Sequence, residues 1–489
     1  MTDAQYIAWL SDPTAIRIVL IEAVARVGGV ETTRYISTGN YVTGPADTPA
    51  NQHYLPRAVA NVSINESLSL TSEASMSVGD IEINNLDGQL DAWLGDIWVN
   101  RPVQAFLGDP RWARADFRMV FNGIIADIGS KSRDKLNLKL RDKLQRLNAA
   151  VTEDKLGGTT TNKDAIIPIA LGECHNITPL LTNPATLEYQ VHGGPVESIF
   201  EVRDNGIPVS ITANNATGKF TLNQAPAGAV TVSLQGDKPS AYTDTIAGIV
   251  QRLVTGYGKA SDRFTSGDLD VANLAAFETA HPQPIGVPLA DRTNVITACQ
   301  MAASSVGAQV VMSRLGKLQL LQIDLASPVS TFDIRPHQML DRDLSVSLRT
   351  DVVASVKLGF NKNWTMQPGL QTSLSAADKE LFNTEWLTST QVDAAVQALY
   401  KLSADPAQED TMLLRRSDAD PEATRRLNLR KVARAVYQFT GFAEMYQLAL
   451  GQIVTLYHPR FGLAAGRVGM VVNLAPNWAT NRVAVGVLI

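Results

Sequence analysis

The sequence predicts a multi-domain, mainly β protein with α+β parts. Three observations predict it. A length of 489 residues corresponds to about three domains of ordinary size, each large enough for its own core. Short alternating apolar runs recur along most of the chain, bounded by Gly, Asn and Asp. Apolar residues at helical spacing are confined to a few segments.

Residues 1–150 read as a β-barrel-like domain. The apolar run from Ile16 to Val27, interrupted by Arg17, Glu22 and Arg26, is too short to span a bilayer and lacks a basic leader, so it reads as a buried strand. Further strands are expected at 41–42, 59–65, 78–84, 103–107, 119–127 and 136–140. Ile81-Glu82-Ile83 and the series Leu136, Leu138, Leu140 alternate as half-buried strands do, while Ala60, Val62 and Ile64 oppose Val59, Asn61 and Ser63 more weakly. Such a series closes into a barrel or sandwich. Asp142 opens a short helix with Leu144 and Leu147 one turn apart, and Gly157 to Thr161 form a first linker.

Residues 151–187 read as a connector punctuated by Pro168, Gly172 and Pro179. Residues 188–237 read as a small appended β-sandwich-like module, with short runs at 188–191, 199–203, 207–211, 219–222 and 230–234. The turns between them carry Asp204-Asn205-Gly206, Asn214-Asn215, Thr217-Gly218 and Ala227-Gly228, which is hairpin chemistry. Residues 238–345 form an α+β domain. Its first helix, 242–256, places Ile246, Ile249, Val250 and Leu253 on one face and stops at Gly256; its second, 293–306, aligns Val295, Ile296, Cys299 and Ala302 or Ala303 and stops at Gly307. A hairpin follows, 309–312 and 318–323, turning at Arg314-Leu315-Gly316. Residues 346–489 carry a strand at 352–358, helices at 378–387 and 391–402, and an exposed loop at 404–419. A helix starts at Asp420-Pro421-Glu422, where a capping carboxylate, a proline and an acidic first turn coincide, and runs to about Phe439. Terminal strands at 453–457, 468–474 and 483–488 make a second barrel-like sheet.

Composition narrows the function. With 45% hydrophobic and 19% charged residues the chain is globular and slightly poor in charge, which suits surface reserved for protein contacts. The balance of 43 basic against 48 acidic residues gives −5, so the basic footprint of a nucleic-acid binder is missing and no specific nucleic-acid site is expected. Two cysteines, Cys174 and Cys299, supply neither a Cys₄ metal site nor a disulfide framework, and a reducing compartment is the simpler assumption. No membrane segment is expected, and the product should be soluble and cytoplasmic when made.

Each local motif has a bland reading that outweighs its chemical one. Cys174-His175 is the only adjacent nucleophile and base, but neighbours on an extended chain point apart, so Cys174 is expected to be a small buried hydrophobe, with a His192 or His281 partner as the alternative. Cys299 lies on the apolar face of a helix and reads as core. Residues 84–91, Asn84-Asn85-Leu86-Asp87-Gly88-Gln89-Leu90-Asp91, lack EF-hand spacing and read as an Asx-rich turn. The strip from Lys131 to Arg146 holds seven basic residues against Asp134 and Asp142 without interleaved aromatics, and reads as a solvated or intersubunit face. Trp93, Trp98 and Trp112 could form a sugar platform but read as core and interface packing. No glycine-rich nucleotide loop, zinc-protease or serine-hydrolase motif is present in the sequence. No catalytic, cofactor-binding or metal residue is therefore assigned.

Several stretches, taken in order, resemble the baseplate hub and tail-tip structural proteins of long-tailed bacteriophages. They are Thr33-Arg34-Tyr35-Ile36-Ser37, the run Ser77 to Gly88, Phe121-Asn122-Gly123-Ile124-Ile125, Leu140 to Lys143, Pro168 to Pro179, Val202 to Gly206, Leu358 to Trp364, Gly451 to Leu456 and Arg460 to Leu463. The resemblance implies tail-tube-like β-barrel domains, no enzymatic activity and a place in the virion at the tail tip or baseplate. It implies self-association into a ring, a trimer, with the tail tube or distal tail protein, other baseplate and fibre proteins and the tape-measure protein as partners. A hexameric distal-tail ring, a cell-wall hydrolase using Cys174 and a receptor-binding adhesin are the alternatives. Some related tail-tip proteins hold an iron–sulfur cluster on four cysteines; two cysteines put it out of reach here, and no cofactor is expected.

Overall fold

The computed structural model describes residues 1–59, 64–69, 75–347, 349–367, 369–403, 405–478 and 480–489. The chain divides into two discontinuous units, one built from 1–145, 311–350 and 433–489, the other from 146–310 and 351–432.

In the first unit a seven-stranded antiparallel sheet runs in the order Val30–Ser37, Ile18–Val27, Pro102–Gly108, Arg118–Ser132, Lys135–Arg141, Ile81–Asn84, Ala58–Val59. The second sheet follows the path Phe332–Ile334, Ile453–Leu456, Arg467–Asn477, Arg482–Leu488, Val436–Gly441, Ser345–Val346. Ile64–Ser67 pairs with Arg467–Asn477 and with Ser75–Val78. Both sheets line one core, in which Ile21, Val103, Phe121 and Leu138 meet Tyr437, Val454, Val471 and Val485, so the arrangement is barrel-like. The N-terminal and C-terminal β segments thus share a single interior.

The strand Ile18–Val27 shows why its sequence is continuously apolar. Val19, Ile21, Ala23 and Ala25 face the common core, while Ile18 and Leu20 face a second cluster with Tyr41, Tyr54, Phe106 and Phe117. Burial on both faces removes the usual alternation. Val27 pairs with Val30 across Gly28 and Gly29, whose φ of +57° and +92° make the two-residue hairpin possible. A helix at Asp3–Ser11, closed by a capping box between Thr2 and Gln5, has no counterpart in the sequence reading.

The second unit packs a five-stranded sheet (Ile207–Pro208, Val196–Asp204, Val230–Asp237, Ile169–Ile177, Gly286–Leu289) against a four-stranded one (Leu180–Asn183, Glu188–Gln190, Lys219–Leu222, Ile211–Asn214). Their shared core includes Ala170, Cys174, Tyr189, Phe220, Val232 and Leu234. A three-stranded sheet (Leu387–Val392, Ser355–Phe360, Gln408–Asp410) and most of the helices complete the unit. Helix Ile246–Gly256 is capped by Thr245, whose hydroxyl accepts from Gly248 N–H, and buries Ile246, Ile249, Val250 and Leu253.

Several sequence expectations need correction. The connector at 151–187 contains the strand Ile169–Ile177, which lies inside the five-stranded sheet. Gly172 there has φ +67°, and a Cβ would overlap the Ile285 carbonyl; the glycine permits close approach within a sheet instead of marking a turn. The helix expected from Asp420 starts at Arg416 and ends at Arg430, followed by the strand Val436–Gly441. Asp420 accepts from Ser389 Oγ at 2.5 Å rather than capping. The expected loop at 404–419 includes Gln408–Asp410, paired in parallel with Ser355–Phe360, and the expected helices at 378–387 and 391–402 shorten to Ala376–Asn383 and Ala394–Tyr400 around the strand Leu387–Val392. Of the strand expected at 59–65, residues 60–63 lie outside the described residues.

Candidate functional site

Strand geometry separates Cys174 from His175. Cys174 is buried in the module core, its Sγ lies 3.4 Å from Leu171 O, and burial pushes the thiol up to about 12. A nucleophilic cysteine needs the opposite shift. His175 emerges on the other face, with Nε2 2.9 Å from Glu173 Oε1 and its ring edge-on to Phe200 at 5.7 Å. Cys299 is enclosed in helix Val295–Ser304, where burial again raises the thiol. His281 packs on Phe277, with ring centroids 4.5 Å apart.

The sequence reading missed a buried polar triad. His192 follows the strand Glu188–Gln190, Asp237 ends the strand Val230–Asp237, and Arg252 lies on the helix Ile246–Gly256. The backbone N–H of Ala170 donates to His192 Nδ1 at 3.1 Å, so the ring proton sits on Nε2 and is donated to Asp237 Oδ1 at 3.2 Å. Arg252 Nε donates to Asp237 Oδ2, and its guanidinium lies over the Tyr257 ring, 4.9 Å from the centroid. Burial alone would raise the Asp237 carboxyl, but hydrogen bonds and charge from His192 and Arg252 hold it below the ordinary carboxylate value. A histidine acting as a general base keeps one ring nitrogen for the reacting group. Both nitrogens of His192 are occupied, which makes the triad a holding device. It floors a cavity of about 690 Å³ walled by segments 148–154, 193–195, 256–259 and 292–294.

The remaining candidates are committed to local structure. In the 84–91 turn, Asn85 Oδ1 accepts from Leu90 N–H, Asn85 Nδ2 donates to Asp91, and Arg57 forks both oxygens of Asp87 at 2.7 Å. The Arg57 hydrogen bonds lower Asp87 to about 2. In the basic strip, Lys131 pairs with Asp80 at 2.5 Å and Lys135 with Glu82 at 3.1 Å, Arg141 donates to Asn100 at 3.2 Å, and Arg146 donates to Arg263 O at 2.9 Å. Trp93 and Trp98 are buried, with Trp98 Nε1 donating to Trp93 O, and Trp112 packs on Trp9 at 4.5 Å between centroids.

One surface of the first unit stands out. Val30, Leu94, Ile97 and Val99 are 66%, 47%, 55% and 41% exposed on the 27–30 hairpin and the 94–99 loop, which Arg26 N–H joins by donating to Ile97 O at 2.9 Å. Ion pairs Arg101–Glu31 and Arg34–Asp96, both 2.9 Å, border these apolar side chains. An apolar centre with a charged rim is the anatomy of a protein interface.

No protein-family model and no curated protein matches the sequence. Among solved structures the chain is similar to phage-type tail proteins. A 43 kDa tail protein of prophage MuSo2 from Shewanella oneidensis is 10% identical, with 96% of this chain and 98% of that one covered at a TM-score of 0.42. A tail protein from Neisseria meningitidis MC58 is 11% identical, with 97% and 96% covered at 0.39. A chain of the virion of a native gene transfer agent particle is 13% identical, with 71% and 91% covered at 0.44. Among the described residues, no helix is long and apolar enough to cross a membrane.

Proposed function

We propose that the chain is a structural component of a phage tail baseplate, the central hub that joins the tail tube to the tail tip around the channel for DNA and the tape-measure protein, and that it is not an enzyme. The observation that carries this reading is the exposed apolar surface of Val30, Leu94, Ile97 and Val99 beside a barrel-like unit. The stretches that resemble hub proteins support it by their positions. Thr33 to Ser37 lies in the edge strand beside that surface, Phe121 to Ile125 lies in the seven-stranded sheet, and Gly451 to Leu456 leads into the second sheet. Self-association into a trimeric ring, contacts with the tube or distal tail protein and with other baseplate and fibre proteins, and residence in the virion belong to the same proposal.

The test is the double substitution Ile97→Asp with Val99→Asp. Exposed positions tolerate such changes to within about 0.5 kcal/mol, so the isolated chain should unfold as before. Incorporation into tails, read by immunoblot of purified particles, should fall severalfold. Full incorporation would remove the surface from the assembly reading.

A further inference from the structure

The cavity above the His192–Asp237–Arg252 triad has the construction of a binding site. Arg252 is held from behind: Asp237 takes its Nε edge, His192 fixes Asp237, and Ala170 N–H fixes His192. Asp237 Oδ1 lies 3.4 Å from Arg252 Nη2, a looser contact that leaves the outer guanidinium edge with donor capacity toward the cavity. Gly256 is needed beneath it, since a Cβ there would overlap Arg252 Nη1. An arginine held in this way loses little freedom on meeting an oxyanion and presents two N–H groups in one plane.

Charges around the opening define what fits. Lys259 and Arg292 make no ion pair among the described residues, and Arg263 donates only to Gly258 O, at 3.3 and 3.2 Å. Glu153 and Asp154 line the same cavity, also without an ion pair among the described residues. Three cations against two carboxylates leave room for one negative charge, and the carboxylates penalise a dianion. At about 690 Å³ the space greatly exceeds a lone carboxylate, and its mixed polar walls suit a hydroxyl- or amide-bearing body.

We propose that this cavity binds a polar, singly charged carboxylic acid, with the carboxylate on the outer edge of Arg252 and its hydrogen-bond donors toward Glu153 and Asp154. A sugar acid and the side chain of an acidic residue in a peptide share this chemistry.

The test is a ligand-observed NMR titration of the full chain with glucuronate, N-acetylglutamic acid α-amide, glucose and inorganic phosphate. For acids of this size a dissociation constant of about 1 mM is expected. Glucose and phosphate should bind at least about tenfold more weakly, and the tighter of the two acids identifies the source. Arg252→Gln risks the fold because it strands Asp237, so the deciding variant is Arg263→Gln with Arg292→Gln at the exposed rim, expected to weaken binding by up to about tenfold. Absence of saturable binding by either acid, tighter binding of phosphate, or an affinity unchanged in the rim variant would overturn the proposal.

Discussion

Replacing Asp237 with Asn tests the holding role of the buried triad. The substitution keeps the shape but removes the charge that faces Arg252, and turns an amide N–H₂ toward one of two donors. Hydrogen bonds to charged groups contribute about 1.5–3 kcal/mol each, and breaking a buried pair costs about 3–5 kcal/mol. The Arg252 side chain is 27% exposed, so solvent screens part of its share and the lower end applies, about 3 kcal/mol. At 1.4 kcal/mol per factor of ten, that raises the local opening constant roughly 150-fold. Hydrogen exchange should report it in the strands Val230–Asp237 and Ile169–Ile177 of the second unit, while Ile18–Val27 in the first unit stays protected. The acid side carries a second signature. Because the folded Asp237 carboxyl sits below its ordinary value, its contribution is complete above the unfolded-state value of about pH 4 and is lost as pH falls through the lower folded value. The Asn variant should lack that acid-side loss. Less than about tenfold faster exchange, or an unchanged acid profile, would refute the reasoning.

Other consequences follow from burial and backbone geometry. Cys174→Ala should cost about 1–2 kcal/mol in urea unfolding, as a small volume lost from the module core, and leave particle infectivity intact; loss of a peptidoglycan-cleaving activity in a stable variant would revive the hydrolase alternative. Gly172→Ala combines a left-handed φ with overlap on the Ile285 carbonyl and should destabilise the second unit by about 2 kcal/mol or more, seen as earlier proteolysis of 146–310. Phe121→Ala empties a fully buried position between the two sheets of the first unit and should cost about 3–5 kcal/mol in thermal or urea unfolding.

The sequence revealed elements whose pattern is local. Ile246, Ile249, Val250 and Leu253 repeat on one helical face with Thr245 before them and Gly256 at their end, so that helix was legible within four residues. The run at 18–27 was legible because burial on both faces leaves it almost wholly apolar. Ile169–Ile177 was not, because its glycine answers to the Ile285 backbone more than a hundred residues away, and nothing in the local sequence shows that. Asp420-Pro421-Glu422 has the composition of a helix start, yet the chain is already helical from Arg416. The triad left no motif at all. His192, Asp237 and Arg252 come from a loop, a strand end and a helix, and only Gly193-Gly194 beside the histidine hinted at an unusual backbone. The local readings of Cys174, Trp93 and the 84–91 turn were legible because apolar neighbours and Asx turn chemistry lie next to them in sequence.

The copy number of this chain in intact tails tests the hub reading most directly. Mass photometry or a symmetry-free cryo-EM reconstruction of purified tails would give it. The account predicts three copies around the tail axis, with the surface of Val30, Leu94, Ile97 and Val99 covered by a neighbouring protein. Six copies in one ring would contradict it in favour of a distal-tail ring, and a tail without this chain would remove the assembly role altogether.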